Sequence, residues 1–162
     1  MAWLAQSSRS QGPLYSPEQR ARRDGTIWTL VQGVLAPVQF VVFLISLVLV
    51  VRFLVTGDGL WAATVSIVIK TFCLYAIMVT GAIWEKVVFG QYLLAPAFFW
   101  EDVVSFVVIA LHTAYLWALF SGADPMTQMW IALAAYAAYV INAAQFLLKL
   151  RAARLDAQVV PA

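Results

Sequence analysis

The sequence predicts an all-α fold, an integral membrane four-helix bundle with both termini cytoplasmic. Three observations predict it. Of 162 residues, 64% are hydrophobic and only 11% are charged, whereas an ordinary soluble domain is roughly 45–50% apolar and about 25% charged. Four apolar stretches each reach the length of about 20 residues that a helix needs to cross a bilayer. The breaks between them are short, and most Lys and Arg residues gather towards the chain ends.

Residues 1–26 read as an N-terminal cytoplasmic tail, rich in Ser, Gln, Arg and Pro. A secretory signal would instead place a basic region and a short apolar core near the start. Within the tail, residues 15–24 (YSPEQRARRD) suit a short helix, with Ser16 as N-cap and Pro17 in the first turn. The four-helix transmembrane domain occupies 27–150. Its first span covers about 28–55 and contains Pro37, which can kink a membrane helix without ending it. The second covers about 60–84 and continues helical to Phe89; the third covers about 98–120 and the fourth about 126–148. Breaks at 57–59 and 121–125 are tight turns that make neighbouring helices antiparallel, while 90–96 is longer and more aromatic. Residues 151–162 form a C-terminal cytoplasmic tail.

Orientation follows from the bases near the span ends. Arg9, Arg20, Arg22 and Arg23 precede the first span, Lys149, Arg151 and Arg154 follow the last, and the tight turns hold acids but no bases. Both termini and the connection from Glu85 to Asp102 are therefore expected on the cytoplasmic side. Arg52, near the far end of the first span, can snorkel to the outer interface. A net charge of +2 gives no argument for nucleic acid. The single cysteine, Cys73, reads as a small core residue with no neighbour to activate it. Alanines 132, 134, 135, 137, 138, 143 and 144 let the fourth helix pack closely, against its neighbours or a second copy in a homo-oligomer.

Against this background Lys70, Glu85, Glu101, Asp102, His112, Asn142 and Gln145 stand out, because ionisable and amide groups are expensive in hydrocarbon and usually face a bundle interior. Counting from the span ends puts Gln39, Lys70 and His112 near mid-membrane, and Gln32, Glu85, Glu101, Asp102, Asn142 and Gln145 towards the cytoplasmic end. Helical spacing gathers Glu101, Ser105, Val108 and His112 into one stripe, Gln32 and Gln39 into another, and sets Asn142 beside Gln145. Facing inward, these stripes would form a polar pocket open to the cytoplasm. Each has a blander use: Glu85, Lys86, Glu101 and Asp102 as solvated interface residues, Lys70 as a snorkelling side chain, His112, Asn142 and Gln145 as bonds between helices. Trp84, Phe89, Tyr92, Phe98, Phe99 and Trp100 suit an interfacial belt and also a flat aromatic ligand. No paired His or Cys has metal-ligand spacing, and no glycine-rich loop precedes a helix.

The segment 83–92 (IWEKVVFGQY), continuing through 95–102 (APAFFWED), resembles a known family, as do 29–33 (TLVQG) with Ala36-Pro37, 111–115 (LHTAY), and 134–140 (AAYAAYV) with Asn142 and Gln145-Phe146. Together they resemble the 2-vinyl bacteriochlorophyllide hydratases of anoxygenic phototrophic bacteria, over about residues 15–155. The resemblance implies a multi-pass enzyme of the bacterial inner membrane that adds water to the ring-A vinyl group of a chlorophyllide-type tetrapyrrole, leaving a hydroxyethyl group. It implies no dissociable cofactor, the magnesium being part of the substrate. It also implies other bacteriochlorophyll-synthesis enzymes as candidate partners.

Vinyl hydration needs a proton for the terminal carbon and a base for the water that captures the resulting cation. Two carboxyls in different surroundings can divide these roles. Glu101 and Glu85 are the expected pair, in either order, with Asp102 weaker because adjacent helical residues point about 100° apart. His112 could relay a proton or ligate the substrate magnesium. Gln32, Lys70, Trp84, Trp100, Asn142 and Gln145 would bind the macrocycle. Without catalysis the same pocket would serve a pigment carrier or assembly factor; a transporter is disfavoured because no helices look broken or inverted-repeated.

Overall fold

A computed structural model of the chain describes residues 12–159. It has five helices: α1 (Pro17–Gly25), α2 (Ile27–Thr56), α3 (Leu60–Phe89), α4 (Phe99–Phe120) and α5 (Pro125–Val159). Four of these, α2 to α5, are long and apolar enough to cross a membrane. The bundle is thus four long helices with a short fifth at its flank, and no strand occurs among the described residues.

Local chemistry sets the element ends. Ser16 Oγ accepts from the Gln19 backbone N–H at 3.1 Å, and the Gln19 side chain accepts from the Ser16 N–H at 2.9 Å. This reciprocal pair satisfies two helix-start donors, with Pro17 at the position where a missing N–H costs nothing. Pro37 lies inside α2 and does not end it. α2 stops at Gly57, whose φ of 78° is left-handed and whose N–H caps Phe53 O at 2.7 Å; a side chain there would be strained. The last helix differs from expectation at its end. It runs to Val159, beyond the span predicted to stop near Leu148, because Leu, Lys, Arg, Ala and Gln in 148–158 are all good helix formers.

Contacts along the helices make α2–α3 and α4–α5 two antiparallel hairpins. The Gln32 amide donates to Thr80 Oγ1 (2.6 Å) and Trp84 Nε1 to Thr29 Oγ1 (2.9 Å), while Ser46 meets Ser66 (2.7 Å) deeper in. In the other hairpin Asn142 reaches Glu101 O (2.8 Å) and the His112 ring lies 5.8 Å from that of Tyr136. Ala132 and Ala135 are fully buried, so part of the alanine run packs inside this hairpin. Phe43, Val50, Ile67, Val108, Tyr115, Met129 and Tyr136 form the shared core. A smaller core of Tyr15, Val88 and Phe98 closes the end that carries both tails.

The polarity of the bundle is inverted relative to a soluble protein. Ile45, Val48, Phe72, Val79, Trp117 and Phe120 face outward, while Ser46, Lys70, Glu85, Asp102, His112 and Asn142 are buried. Such an exterior suits lipid and not water.

Candidate active site

The end that carries the tails gathers three buried carboxyls. Glu85, from the last turns of α3, and Asp102, from the first turn of α4, bring two carboxyls to the α3–α4 connection, where they accept from consecutive backbone N–H groups. The two acids are only 5% and 3% exposed. Neighbouring buried carboxyls disfavour double ionisation, so such a pair suits the sharing of one proton. The connection between α3 and α4 supplies the donors: Leu94 N–H to Asp102 Oδ2 at 2.7 Å and Ala95 N–H to Glu85 Oε2 at 3.3 Å. To aim its N–H this way Leu94 adopts a φ of 59°, a left-handed conformation costing about 1–2 kcal/mol for a residue with a Cβ.

Glu101 is also buried but turned to a different partner. Its Oε2 accepts from Lys149 Nζ at 3.0 Å, and Lys149 also donates to Ala97 O at 2.6 Å. The Asn142 amide donates to Glu101 O (2.8 Å) and its oxygen accepts from Ser105 Oγ (3.0 Å). The expected convergence of Glu85 with Glu101 is therefore corrected: Asp102 meets Glu85, and Glu101 ties α4 to α5. The reason is that α3 approaches the side of α4 that Asp102 faces, and α5 the side that Glu101 faces, the same angular separation that made Asp102 look the weaker of the two.

Above the acids lies an aromatic roof. Phe98 is 2% exposed and packs on Trp84, Phe89 and Phe146, with ring centroids 5.7–5.9 Å apart. Tyr15 stacks on Phe89 at 5.9 Å, and Arg23 lies 4.7 Å from the Tyr15 ring. Burial pushes the Tyr15 phenol above its ordinary pKa, against the opposing pull of Arg23. The pocket expected to open at this end is thus roofed over the acids by the 94–98 connection, where Ala95 is fully buried. A cleft of about 540 Å³ lies alongside, lined by Leu14, Gln19, Phe89, Gln91, Ala97 and Lys149 among others. That volume falls within the usual range for ligand sites.

Deeper in the bundle is a second polar group. His112 is fully buried; its Nδ1 is 2.8 Å from Val108 O, so Nδ1 carries the proton and Nε2 offers a lone pair that meets no hydrogen-bond partner. Lys70 Nζ sits 3.6 Å above the Tyr139 ring, also fully buried and without a hydrogen bond. Ten residues separate Asp102 from His112, about 15 Å along α4.

The remaining expected residues are placed as follows. The stripe Glu101, Ser105, Val108 and His112 is buried throughout. Gln32 is half-buried and spent on Thr80. Trp84 is half-buried under the roof, its N–H on Thr29. Gln145 stands 3.5 Å from Asn142 at the edge of the cluster. Trp100 lies outside the cluster, 67% exposed. Lys149 was read from sequence only as a topology signal, although it follows Asn142 by seven residues and Gln145 by four, which puts all three on one helix face. No sequence signal marks the Leu94 and Ala95 amides. Among the described residues no cluster of His, Cys, Asp and Glu could hold a metal ion by itself.

Residues 15–152 match the profile of the family described as 2-vinyl bacteriochlorophyllide hydratase (BCHF). The chain is 74% identical over 148 residues to the 2-vinyl bacteriochlorophyllide hydratase of Rhodobacter capsulatus, covering 91% of this chain and 86% of that protein. It is 76% identical over 143 residues to the protein of the same name from Cereibacter sphaeroides, covering 88% of this chain and 89% of that one. No solved structure matches it. With a family match across most of its length and relatives this similar, the chain belongs to the 2-vinyl bacteriochlorophyllide hydratase family.

Proposed function

We propose that the protein hydrates the ring-A vinyl group of a chlorophyllide or bacteriochlorophyllide, giving the 1-hydroxyethyl derivative, and that the Glu85–Asp102 pair is its acid–base centre. The observation that supports this site is the pair of buried carboxyls on consecutive backbone amides, an arrangement suited to holding a transferable proton away from water. The proton moves to the terminal vinyl carbon, using the π electrons of the double bond to form the new C–H bond. Positive charge develops on the inner carbon, where the macrocycle delocalises it. Water attacks that carbon and its released proton returns to the carboxylate, so the pair ends as it began and the net change is the addition of one water.

The rest of the bundle serves positioning. The free Nε2 of His112 suits an axial bond to the substrate's magnesium, and the Nδ1–H bond to Val108 fixes the required tautomer. A chlorin standing edge-on with its metal on the histidine would point its ring-A edge toward the acids, the side chains of His112, Asp102 and Glu85 covering the rest of the roughly 15 Å between His112 and Asp102 along α4. Such a ligand enters by parting the 91–98 roof, and the seam between the two hairpins receives it. Glu101, Lys149, Asn142 and Ser105 hold α4 against α5 while that seam opens.

The protein sits in the bacterial inner membrane with the tail-bearing end on the cytoplasmic side, since Arg20, Arg22, Arg23, Lys86, Lys149, Arg151 and Arg154 all lie there. Membranes containing the protein, incubated with a vinyl chlorophyllide, are expected to yield a pigment heavier by one water. Recovery of bound but unchanged pigment would assign the protein to carriage and not catalysis.

A further inference from the structure

We infer that Lys70 receives a carboxylate of the bound macrocycle and is the residue that tells a free-acid tetrapyrrole from its ester. The inference rests on the hydratase reading and adds to it the part of the substrate that is recognised. Lys70 lies in the first half of α3, fully buried, with a side-chain nitrogen that meets no hydrogen-bond acceptor. Facing it are the Tyr139 ring from α5, His112 from α4 and Cys73 from its own helix, none of them a carboxylate. The nearest acids along the chain are Asp58, twelve residues before, and Glu85, fifteen after, about 18 and 22 Å away along the helix. Among the described residues the two ion pairs are Arg23–Asp24 and Lys149–Glu101, so no counter-ion is held for Lys70.

A buried, unpaired charge is among the costliest features a membrane bundle can carry. The cation–π contact with Tyr139 offsets part of that cost. Snorkelling does not apply, because the side chain is enclosed and about 15 Å along the helix from the nearer end of α3. An ammonium group has three donors and no acceptor, so an acceptor completes its hydrogen bonding and an anionic acceptor also offsets its charge. The ligand already placed in this seam carries one: a chlorophyllide is a free carboxylic acid where the corresponding chlorophyll is an ester. Its acid side chain projects from the macrocycle edge away from the vinyl carbon. With the vinyl group at Glu85 and Asp102 and the metal on His112, that edge lies deeper in the bundle, where Lys70 is. An ester presents no anion to the lysine and adds the bulk of its alcohol.

The test compares a vinyl chlorophyllide with its methyl ester on the purified full-length protein, its Lys70→Met variant and its Lys70→Arg variant. Loss of one charged hydrogen-bonded contact corresponds to roughly a ten- to hundredfold change in KM. The wild type is expected to show that margin in favour of the acid. Lys70→Met should raise KM for the acid until the margin disappears, and Lys70→Arg should keep it. Thermal unfolding without catalysis gives a separate reading: the acid should raise the wild-type Tm more than the ester does, and Lys70→Met should erase the difference. The substrate-free variant should be no less stable than wild type, because an uncompensated charge has been removed. Equal treatment of acid and ester by the wild type, or a preference that survives in Lys70→Met, overturns the inference. So does an equal Tm rise from chloride or acetate alone, which would assign the lysine to a small anion. If the wild type hydrates neither pigment, the hydratase reading fails, and the Tm comparison still decides the role of Lys70.

Discussion

Replacing Asp102 with asparagine separates the chemistry of the carboxyl pair from its architecture. The asparagine oxygen can still accept from Leu94 N–H, now at 2.7 Å from the carboxylate, and the new N–H group can donate to Glu85. The fold is preserved and the exchangeable proton of the pair is lost. A positioned acid or base contributes about 10²–10⁴-fold, so hydration should fall by that factor, about 2.7–5.5 kcal/mol in the barrier. Glu85→Gln should fall comparably, since the amide oxygen still accepts from Ala95. The informative control is Glu101→Gln, one residue away and equally buried. It loses a salt bridge to Lys149 whose lysine is 29% exposed, worth about 1 kcal/mol or less after screening, and turnover should fall less than tenfold. The assay is single-turnover conversion of a vinyl chlorophyllide followed by mass, with circular dichroism confirming helix content. A dead Glu101→Gln beside an active Asp102→Asn would refute the assignment of the acid–base centre to the α3–α4 pair.

Further outcomes follow from the surrounding structure. Asn142→Ala leaves the Ser105 hydroxyl and the Glu101 carbonyl with one partner fewer each, which should destabilise the protein by about 1–3 kcal/mol in chemical unfolding. Trp100→Ala removes a side chain that is mostly exposed and outside the cluster; turnover in detergent should stay within twofold of wild type. Leu94→Gly relieves the left-handed strain at this position and should raise stability by up to about 1 kcal/mol, measurable as a shift in denaturation midpoint.

Much of the fold was legible because span length and apolar content carry it. The helix ends at Thr56, Phe89 and Phe120 match the glycine-containing breaks and the Ser121–Pro125 turn, and Ser16 caps α1 where its spacing from Gln19 places it. The site was legible by residue type and less so by pairing. Glu85, Glu101, Asp102 and His112 stand out as polar groups in an apolar chain, yet which carboxyl meets which depends on the rotation of α4 between α3 and α5. Periodicity gives the angle between Glu101 and Asp102 but not the direction of either neighbour. The roof was not legible at all: it depends on the path of residues 91–98, set by Leu94 at a backbone angle that leucine rarely adopts. Lys149 was visible but read for its charge alone, when its spacing from Asn142 and Gln145 also placed it on the site.

The position of the acids near one end of the bundle suits what a membrane would allow. Three carboxyls at the bilayer centre would each need a partner among helices whose backbone groups are already satisfied. At the junction of α3 and α4 the chain leaves helical geometry, and Leu94 and Ala95 have N–H groups free to turn onto side chains. The connection that roofs the acids is therefore also what makes them tolerable there. His112 needs no such help, because its Nδ1 takes the Val108 carbonyl one turn back on its own helix. Lys70 has neither resource: its own helix offers no free acceptor, and no connection comes near it. A buried cation that the bundle does not complete is thus the group for which the proposed ligand would supply the partner.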